Sequence, residues 1–463
     1  MLESKFLKKK RLTVGMLEDM LNSFDPKRRE EAFLLLCSMA KKGEIPISPP
    51  RSAVNLHFHT FFSFNAYGYS PSRIAWEAWK QGLLVAGIVD FDCLDGLEEF
   101  LRCSRLTGER SVVSMETRVY IPDRCDKIFS SPNEPGISYF MGVGFAREPD
   151  PSEDASRFMS ELKSLSEKRN REMMERLNSY LDEIAIDYDL DVKSLTPLGN
   201  ATERHMIKAY DVKSRKVLGR GRRFWRFWSE KLGVSEKEIE EMADDIPRFH
   251  NLIRSKLMKY GGIGYAAPEA GNFPKVRDFV KAVLDLGAIP TYAWLDGTGS
   301  GEEDIEELLD YLEWIGVLAF SIIPERNWNI KDPKEKELKL SKLHEALEAV
   351  RKRDIPITVG TEMNAYGQRF VDDFEAEELR DLVRPAIEGA MIFWGHTFMS
   401  MFAGKGYISK WAEEVFGREK RKRNEFYKRV GELAIPGNRK QEEALQELPE
   451  SCGPDDIISA LRS

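Results

Sequence analysis

The amino-acid sequence predicts an α/β protein built around a barrel of strands. Short runs of nearly continuous apolar residues recur along the chain, and such runs are typical of strands that are buried on both faces. Helical patterns separate many of these runs, and an alternation of strands and helices indicates a parallel sheet. Eight candidate strands can be counted, which is the number that closes an α/β barrel.

The candidate strands are rich in β-branched and aromatic residues, which favour extended structure. In chain order they cover residues 53–58, 83–90, 111–117, 137–144, 288–294, 317–323, 356–363 and 390–396. The helical patterns between them include "PSRIAWEAWKQG" and "FPKVRDFVKAVLDLG". The second pattern ends at Gly287, and glycine is a common end of a helix.

The remaining segments divide the chain into five parts. We expect a helical N-terminal extension, a barrel in two parts, a charged helical insertion between them and a polar C-terminal tail. The N-terminal extension covers residues 1–50, and the first part of the barrel covers 51–149. The insertion covers 150–265, the second part of the barrel 266–435 and the tail 436–463. The insertion contains the basic and aromatic run "KSRKVLGRGRRFWRFWSEK". This run is either a surface for a partner or nucleic acid, or a helix with a solvated basic face.

Composition limits the class of function. The formal net charge of −8 disfavours a general role in nucleic-acid binding. No apolar run has the length of a membrane span, and the N-terminal residues lack the apolar segment of a signal peptide. The five cysteines show neither zinc-site nor disulfide spacing, so we expect a cytoplasmic protein. The oligomeric state stays open.

Polar residues lie at the ends of several candidate strands, where α/β barrels carry their chemistry. His57 and His59 end the first strand, and a spacing of two places both side chains on one face. Glu116 ends the third strand and Glu362 the seventh. Imidazole and carboxylate groups are natural ligands of zinc, manganese and iron. The sequence therefore predicts a metal site, with hydrogen-bonded rim histidines as the alternative.

Five segments, in order and spacing, resemble the motifs of the PHP superfamily, which is named for polymerase and histidinol phosphatase. The segments are "NLHFHTFFSFNAYGYSPSRIAWEAWKQGLLVAGIVDFDCLDG", "SMETRV", "GNATERHMIKAY", "FPKVRDFVKAVLDLGAIPTYAW" and "VGTEMNAYG". The resemblance covers about residues 53–366, and within the superfamily this segment is most similar to the phosphoesterase branch. It implies a distorted (β/α)7-type barrel, up to three metal ions and the hydrolysis of phosphate esters.

The sequence departs from the family pattern in a selective way. The resemblance assigns one metal site to His57, His59, Glu116 and Glu362, with glutamate in place of the last aspartate. In the family, the other two sites also have ligands that they do not share with the first site. At those positions, this sequence has residues that bind metal weakly or not at all. Those residues are Asn65, Phe91, Tyr139, Trp294 and Asn364. We therefore expect a single divalent ion, which would be zinc, manganese or iron.

Further roles follow from position and resemblance. Asp90 is expected to orient a ligand histidine or to accept a proton. His396, at the end of the eighth candidate strand, is expected to be a base or an extra ligand, or else a structural histidine. Asp92 is expected to cap the helix that follows it. Guanidinium groups bind phosphate bidentately. The residues expected to contact substrate are Arg118, Arg204 and His205.

Two functions from different classes remain. The first is a metal-dependent hydrolase, most similar to the phosphoesterases, that acts on a small molecule, with a phosphorylated one as an option. With one ion, arginines such as Arg118, Arg204 and Arg326 must neutralise the remaining phosphate charge. The second is a non-catalytic PHP relic that serves as a binding or scaffold protein. The metal content of the purified protein distinguishes the two.

Overall fold

A computed structural model gives the architecture and describes residues 12–266 and 270–462. Residues 1–11 of the predicted N-terminal extension lie outside the described residues. So do residues 267–269, which belong to the predicted second part of the barrel, and residue 463 of the predicted tail.

Seven strands form one sheet, and their order in the sheet follows their order in the chain. They are β1 (Val54–Phe58), β2 (Val85–Phe91), β3 (Ser111–Tyr120), β4 (Ile137–Val143), β5 (Ile289–Trp294), β6 (Ala319–Ile322) and β7 (Ile357–Val359). Strand β4 is antiparallel to β3 and β5, and every other pairing is parallel. A bridge between Phe58 and Glu362 joins β1 to the residues after β7, so the sheet nearly closes. The predicted distorted seven-stranded barrel is confirmed.

The pairing of β1 with β2 is irregular beside the first predicted ligand. Val54 and Asn55 pair with Val85 and Ala86, but the register shifts before Phe58 pairs with Ile88. Irregular pairings of this kind redirect side chains and are common beside active sites. This one lies between Asn55 and Phe58 and therefore spans His57.

The prediction of an eighth strand at 390–396 is wrong. These residues lie inside the helix α14 (Arg380–Ala403), which is buried throughout 389–399. A run that is apolar on every side has no period, so sequence alone does not separate a buried strand from a buried helix. The helix passes against β7 so closely that a Cβ atom on Gly389 would collide with the carbonyl of Ile357.

Helices surround the barrel and form the rest of the molecule. The other α-helices are α1 (Val14–Met20), α2 (Pro26–Lys41), α3 (Pro71–Gln81), α4 (Leu97–Thr107), α5 (Asp154–Tyr180), α6 (Glu203–Leu218), α7 (Arg222–Leu232), α8 (Glu236–Met242), α9 (Ile246–Ile253), α10 (Val276–Asp285), α11 (Ile305–Trp314), α12 (Glu325–Trp328), α13 (Pro333–Lys352), α15 (Lys410–Phe416), α16 (Lys420–Leu433), α17 (Arg439–Gln446) and α18 (Pro454–Arg462). Across 12–266 and 270–462, none of the helices joins sufficient length with the apolar character that crossing a membrane requires.

Residues 177–258 have an apolar core of their own. Helix α5 starts on the barrel core through Leu162 and ends with Leu177 in this second core. The basic and aromatic run supplies Phe224 and Trp228 to it, while Arg223 is exposed and pairs with a glutamate. These contacts favour a helix with a solvated basic face for this run.

The C-terminal residues do not form the polar tail that we predicted. They fold into α17 and α18, which bury Leu445, Ile457 and Leu461. An ion pair joins this region to the barrel, with 2.6 Å between Arg105 Nη2 and Glu442 Oε2. The sequence is polar overall here because only one face of each short helix is buried.

Candidate metal centre

Three of the four predicted ligands converge at the carboxyl end of the barrel. The distance from His57 Nε2 to Glu116 Oε2 is 3.6 Å, and that from His59 Nε2 to Glu116 Oε1 is 3.2 Å. All three residues are buried, and their ligand atoms lie within 4.8 Å of one another. In the described residues, this is the one group of three or more histidine, cysteine or carboxylate side chains with such spacing.

Three of the four histidine nitrogens in this group lack hydrogen-bond partners among the described residues. Both ring nitrogens of His57 and the Nε2 atom of His59 are buried without one. Buried polar atoms are normally paired, because an unpaired one loses its interaction with water. Two imidazoles beside a carboxylate are a donor set typical of zinc and related ions. The residues present therefore fit a divalent metal ion.

A hydrogen-bonded chain supports His59 from behind. Its Nδ1 atom lies 3.2 Å from Ser63 Oγ, and Ser63 donates to Asp90 Oδ1 at 2.5 Å. Asp90 also accepts bonds from the backbone and the hydroxyl of Thr60, at 2.9 and 2.7 Å. Because the Ser63 hydroxyl donates to Asp90, it accepts from Nδ1–H of His59. The Nε2 lone pair is then directed towards Glu116, where an ion would lie.

Burial and neighbouring charges shift the pKa values of these groups. Burial raises the pKa of Glu116, but the nearby His57 and His59 outweigh this effect and hold it well below its ordinary value. Burial lowers the pKa of His59, but Glu116 outweighs this and raises it. Burial raises the pKa of Asp90 despite the bonds from Ser63 and Thr60.

Glu362, the fourth predicted ligand, lies beside this group with its carboxylate already engaged. Its Oε1 atom is 2.5 Å from Arg326 Nη2, and its Oε2 atom accepts a bond of 3.3 Å from Gln368. Its backbone is held by β1, since the His59 amide donates to the Glu362 carbonyl and the Glu362 amide donates to the carbonyl of His57. Burial raises the pKa of Glu362, but Arg326 and His57 outweigh it and lower the pKa.

The group opens into a cavity of about 680 Å³ between the barrel and the residues of the predicted insertion. His57, Glu116 and Glu362 line it. Basic side chains from both sides also line it, and they are Arg118, Arg169, Arg176, Arg204, Arg254, Lys259 and Arg326. Six carboxylates line the cavity as well, and four of the seven cations pair with them: Arg118 with Glu134, Arg254 and Lys259 with Glu203, and Arg326 with Glu362. Among the described residues, Arg169, Arg176 and Arg204 have no carboxylate within ion-pair distance, so these three are the cations best suited to an anionic ligand.

The side chains at the positions where the resemblance would place further ligands have other structural roles. Phe91 stacks on His59 with the ring centres 4.5 Å apart, and Trp294 is buried. Asn65 donates to the His59 carbonyl at 2.8 Å and accepts bonds from two backbone amides. Tyr139 and Asn364 line the cavity. These side chains fill or brace the positions at which the resemblance would place further ligands.

Of the three residues predicted to contact substrate, two line the cavity and one does not. Arg118 and Arg204 line the cavity, and Arg118 pairs with Glu134 at 3.1 Å. His205 does not line it: this residue is buried in α6, where Nδ1 accepts a 3.1 Å bond from the Thr202 amide as part of the helix cap. Burial lowers the pKa of His205 to about 3. A buried capping histidine is not available to substrate.

His396 lies in α14 instead of at a strand end, so its predicted place at the barrel rim is wrong. Its Nε2 atom is 3.0 Å from the Gly144 carbonyl, and its Nδ1 atom accepts a 2.9 Å bond from the Tyr407 amide. Burial lowers its pKa to about 4. Both ring nitrogens are occupied, which favours the alternative of a structural histidine.

Asp92 also differs from its prediction as a helix cap. The N-terminal cap of α4 is Gly96, and no side chain caps that helix. Asp92 adopts a left-handed backbone with φ of 59° and accepts a bond from Thr117 Oγ1 while it lines the cavity. Sequence reasoning also missed Arg169 of α5, which lies in a charged helical stretch without a motif.

Comparisons with known proteins show limited likeness. No protein-family model matches the sequence, and no curated protein matches it. A crystal structure of an amidohydrolase from Chromobacterium violaceum, with bound sulfate and no metal, has a TM-score of 0.47 at 16% identity over 72% of this chain and 96% of that chain. A protein assigned as a metal-dependent phosphoesterase from Bifidobacterium adolescentis has a TM-score of 0.43 at 16% identity over 73% of this chain and 98% of that chain.

Proposed function

We propose that the protein is a metal-dependent hydrolase of the PHP type, similar to the phosphoesterases, with a single divalent ion. The observation that carries the proposal is the convergence of His57, His59 and Glu116, in which the Nε2 atoms of both histidines are buried without a hydrogen-bond partner among the described residues and lie beside one carboxylate. Zinc, manganese and iron suit this donor set. When bound, the ion supplies Lewis-acid activation of water and of the substrate oxygen.

The protein side chains hold the ligands and the substrate. Asp90 does not line the cavity, and its oxygens are occupied by Ser63 and Thr60. It therefore acts through Ser63 as a positioning residue for His59 and is not the proton acceptor. Arg204 and Arg118 face the cavity and bind oxyanions of the substrate. This charge favours a small phosphorylated substrate.

Glu362 and Arg326 form a pair that substrate binding can divide. In this structure Arg326 neutralises Glu362 at 2.5 Å. An anionic substrate in the cavity attracts Arg326, which lies 37% exposed at its rim. Once Arg326 is drawn to the substrate, Glu362 would be free to hold the ion beside His57, as the resemblance implies.

A second candidate function is a binding or scaffold role without catalysis. The observation that favours it is the aromatic stacking of Phe91 on His59, together with the burial of Trp294 where the resemblance would place a further ligand. On this alternative, the remaining ion is structural or absent. The two functions differ in the metal that the protein retains.

The experiment is elemental analysis of protein that has been loaded with zinc or manganese and dialysed. We expect about one equivalent of metal in the wild type, and its loss in His57→Ala and Glu116→Ala, because both side chains supply ligand atoms. His344→Ala is the control, since His344 is half-exposed on α13 and away from the cavity. Wild-type protein that retains no metal would rule out the metal centre and favour the binding role.

A further inference from the structure

Two arginines from different parts of the chain lie against one phenylalanine ring inside the cavity. The guanidinium carbon of Arg118, on β3, is 5.0 Å from the centre of the Phe273 ring. That of Arg169, on α5, is 4.5 Å from the same centre. Both arginines line the cavity. Burial, and then the positive charge of Arg118, lowers the pKa of Arg169 to about 10.

The two arginines differ in how their charge is neutralised. Arg118 pairs with Glu134, with 3.1 Å between Nη1 and Oε2. Arg169 donates to the carbonyl of Asn272, and none of the described carboxylates lies within ion-pair distance of it. The nearby Asp92 carboxylate, which accepts a bond from Thr117, acts on Arg169 only through its charge, and this raises the pKa of Arg169 and offsets part of the repulsion from Arg118. Two like charges in a shared site repel each other, so an added anion between them would be stabilising.

The pair lies apart from the metal ligands along the same strand. Glu116 and Arg118 are two residues apart on β3, so both side chains point to the same face. Two residues of a strand span about 6.6 Å. Arg326, by contrast, pairs with Glu362 at 2.5 Å. The cavity therefore has one cation paired with Glu362 and another two residues along β3 from Glu116.

We propose that Arg118 and Arg169 form a second anion subsite, which binds an anionic group of the substrate other than the group that reacts. This proposal rests on the proposed function, because it takes the cavity as the substrate site. The anionic group is a carboxylate or a phosphate, since the guanidinium fork binds both bidentately. Arg169 then selects substrates that carry two separated anionic groups.

The test uses the full-length protein after metal removal with a chelator, so that the metal centre does not contribute. Inorganic phosphate and malonate are titrated separately and followed by calorimetry. We expect the wild type to bind at least one of them, and the one that binds more tightly identifies the group. Because hydrogen bonds to charged groups are strong, Arg169→Ala should weaken that binding on the order of 10–100-fold.

Two further variants make the result specific. Arg171→Ala is the matched control, because Arg171 lies on the same helix but pairs with Glu167 and Asp189 outside the cavity. It should leave the binding of phosphate or malonate within about twofold. Arg169→Lys keeps the charge but loses the fork, so we expect an intermediate affinity. This variant decides the question if Arg169→Ala does not fold.

The outcomes separate this subsite from the metal centre. The subsite is overturned if metal-free wild type binds neither anion, or if binding is the same in the wild type and in the Arg169 variants. It is also overturned if Arg204→Ala abolishes binding while Arg169→Ala does not. Failure to retain zinc or manganese would overturn the proposed function alone, because the titrations are done without metal.

Discussion

At the scale of single residues, the direction of one hydrogen bond decides whether His59 can be a ligand. Ser63 has a single proton, and the 2.5 Å contact with Asp90 takes it. His59 must then donate from Nδ1 to Ser63, which frees Nε2. The serine and aspartate would thus support a metal centre at His59 without contacting the ion.

Replacing Ser63 should therefore weaken metal binding without removing a ligand. We expect Ser63→Ala to reduce zinc affinity by about 10–100-fold, the usual effect of losing such a supporting group. Competition with a chromophoric chelator measures this affinity. Ser111→Ala is the control, because Ser111 is buried with an unpaired hydroxyl at the start of β3. Equal zinc affinities for the wild type and Ser63→Ala would contradict the role of Ser63.

Glu109 is a buried residue outside the metal centre whose effect on stability depends on pH. It follows α4, its Oε1 atom has no partner among the described residues, and burial raises its pKa from 4.5 to about 8. The folded protein then keeps a proton that the unfolded chain releases above pH 4.5. Stability should therefore fall as pH rises from 4.5 to about 8, by at most about 1.4 kcal/mol per pH unit from this group.

Glu109→Gln should remove this contribution to the pH dependence. The amide stays neutral, so the variant should gain stability relative to wild type as pH rises through this range. Urea unfolding at several pH values measures the difference, with Glu240→Gln on the exposed face of α8 as the control. A difference between wild type and Glu109→Gln that is constant from pH 5 to pH 8 would count against the buried proton.

The sequence predicted part of the site at this scale. His57 and His59 were found because their short spacing at a strand end is visible in one dimension, whereas Glu116 was expected at a strand end but lies inside β3, which continues to Tyr120. The Arg326–Glu362 pair was not, since it joins residues 36 positions apart through a tertiary contact. The same holds for Arg169, which only the fold of α5 over the barrel brings into the cavity.

At the scale of elements, close packing of two helices explains why α14 is not a strand. A Cβ atom on Gly395 would collide with the carbonyl of Tyr427, and one on Gly431 would collide with the carbonyl of Met391. The two glycines therefore let the backbones of α14 and α16 touch. Seven strands could be predicted from apolar runs, but this contact between distant glycines has no local signal.

Gly395→Ala should force these two helices apart. Overpacking of a tight contact typically costs 1–3 kcal/mol, so we expect a loss of about that size in the free energy of unfolding. Urea denaturation measures it. Gly15→Ala is the matched control, because Gly15 lies in α1 with open space around it. This variant should have an unchanged or slightly higher free energy of unfolding. Unchanged stability in Gly395→Ala would show that α14 and α16 can separate freely.

At the scale of the whole molecule, the net charge is negative, but several arginines lie together in the cavity. The chain carries a formal charge of −8, yet the cavity between the barrel and the helices of 150–265 collects arginines from both. Six carboxylates line the same cavity, so an anion is attracted locally, at arginines such as Arg169 and Arg204 that have no carboxylate partner among the described residues. The second apolar core supports the helices that bring Arg169, Arg204 and Arg254 to it.

This arrangement leads to a prediction for activity. Phosphate transfer depends on neutralising charge at the reacting group, and losing even one such donor typically costs on the order of 10²–10³ in rate. Phe91 stacks on His59 where the resemblance would place a ligand of a further ion. With one ion, we expect turnover of simple phosphomonoesters such as 4-nitrophenyl phosphate to be weak or absent, even with zinc or manganese supplied.

The measurement is steady-state hydrolysis by metal-loaded protein, with His57→Ala prepared in parallel to detect contaminating phosphatase. A simple monoester offers one anionic group, so it reaches the metal centre without the second contact that Arg169 would provide. Turnover of about 1–10³ s⁻¹, the usual range for enzymes, that is lost in His57→Ala would contradict the prediction. One ion and the cavity arginines would then suffice for phosphate transfer, and the arginines would supply the charge for which the resemblance implies further metal ions.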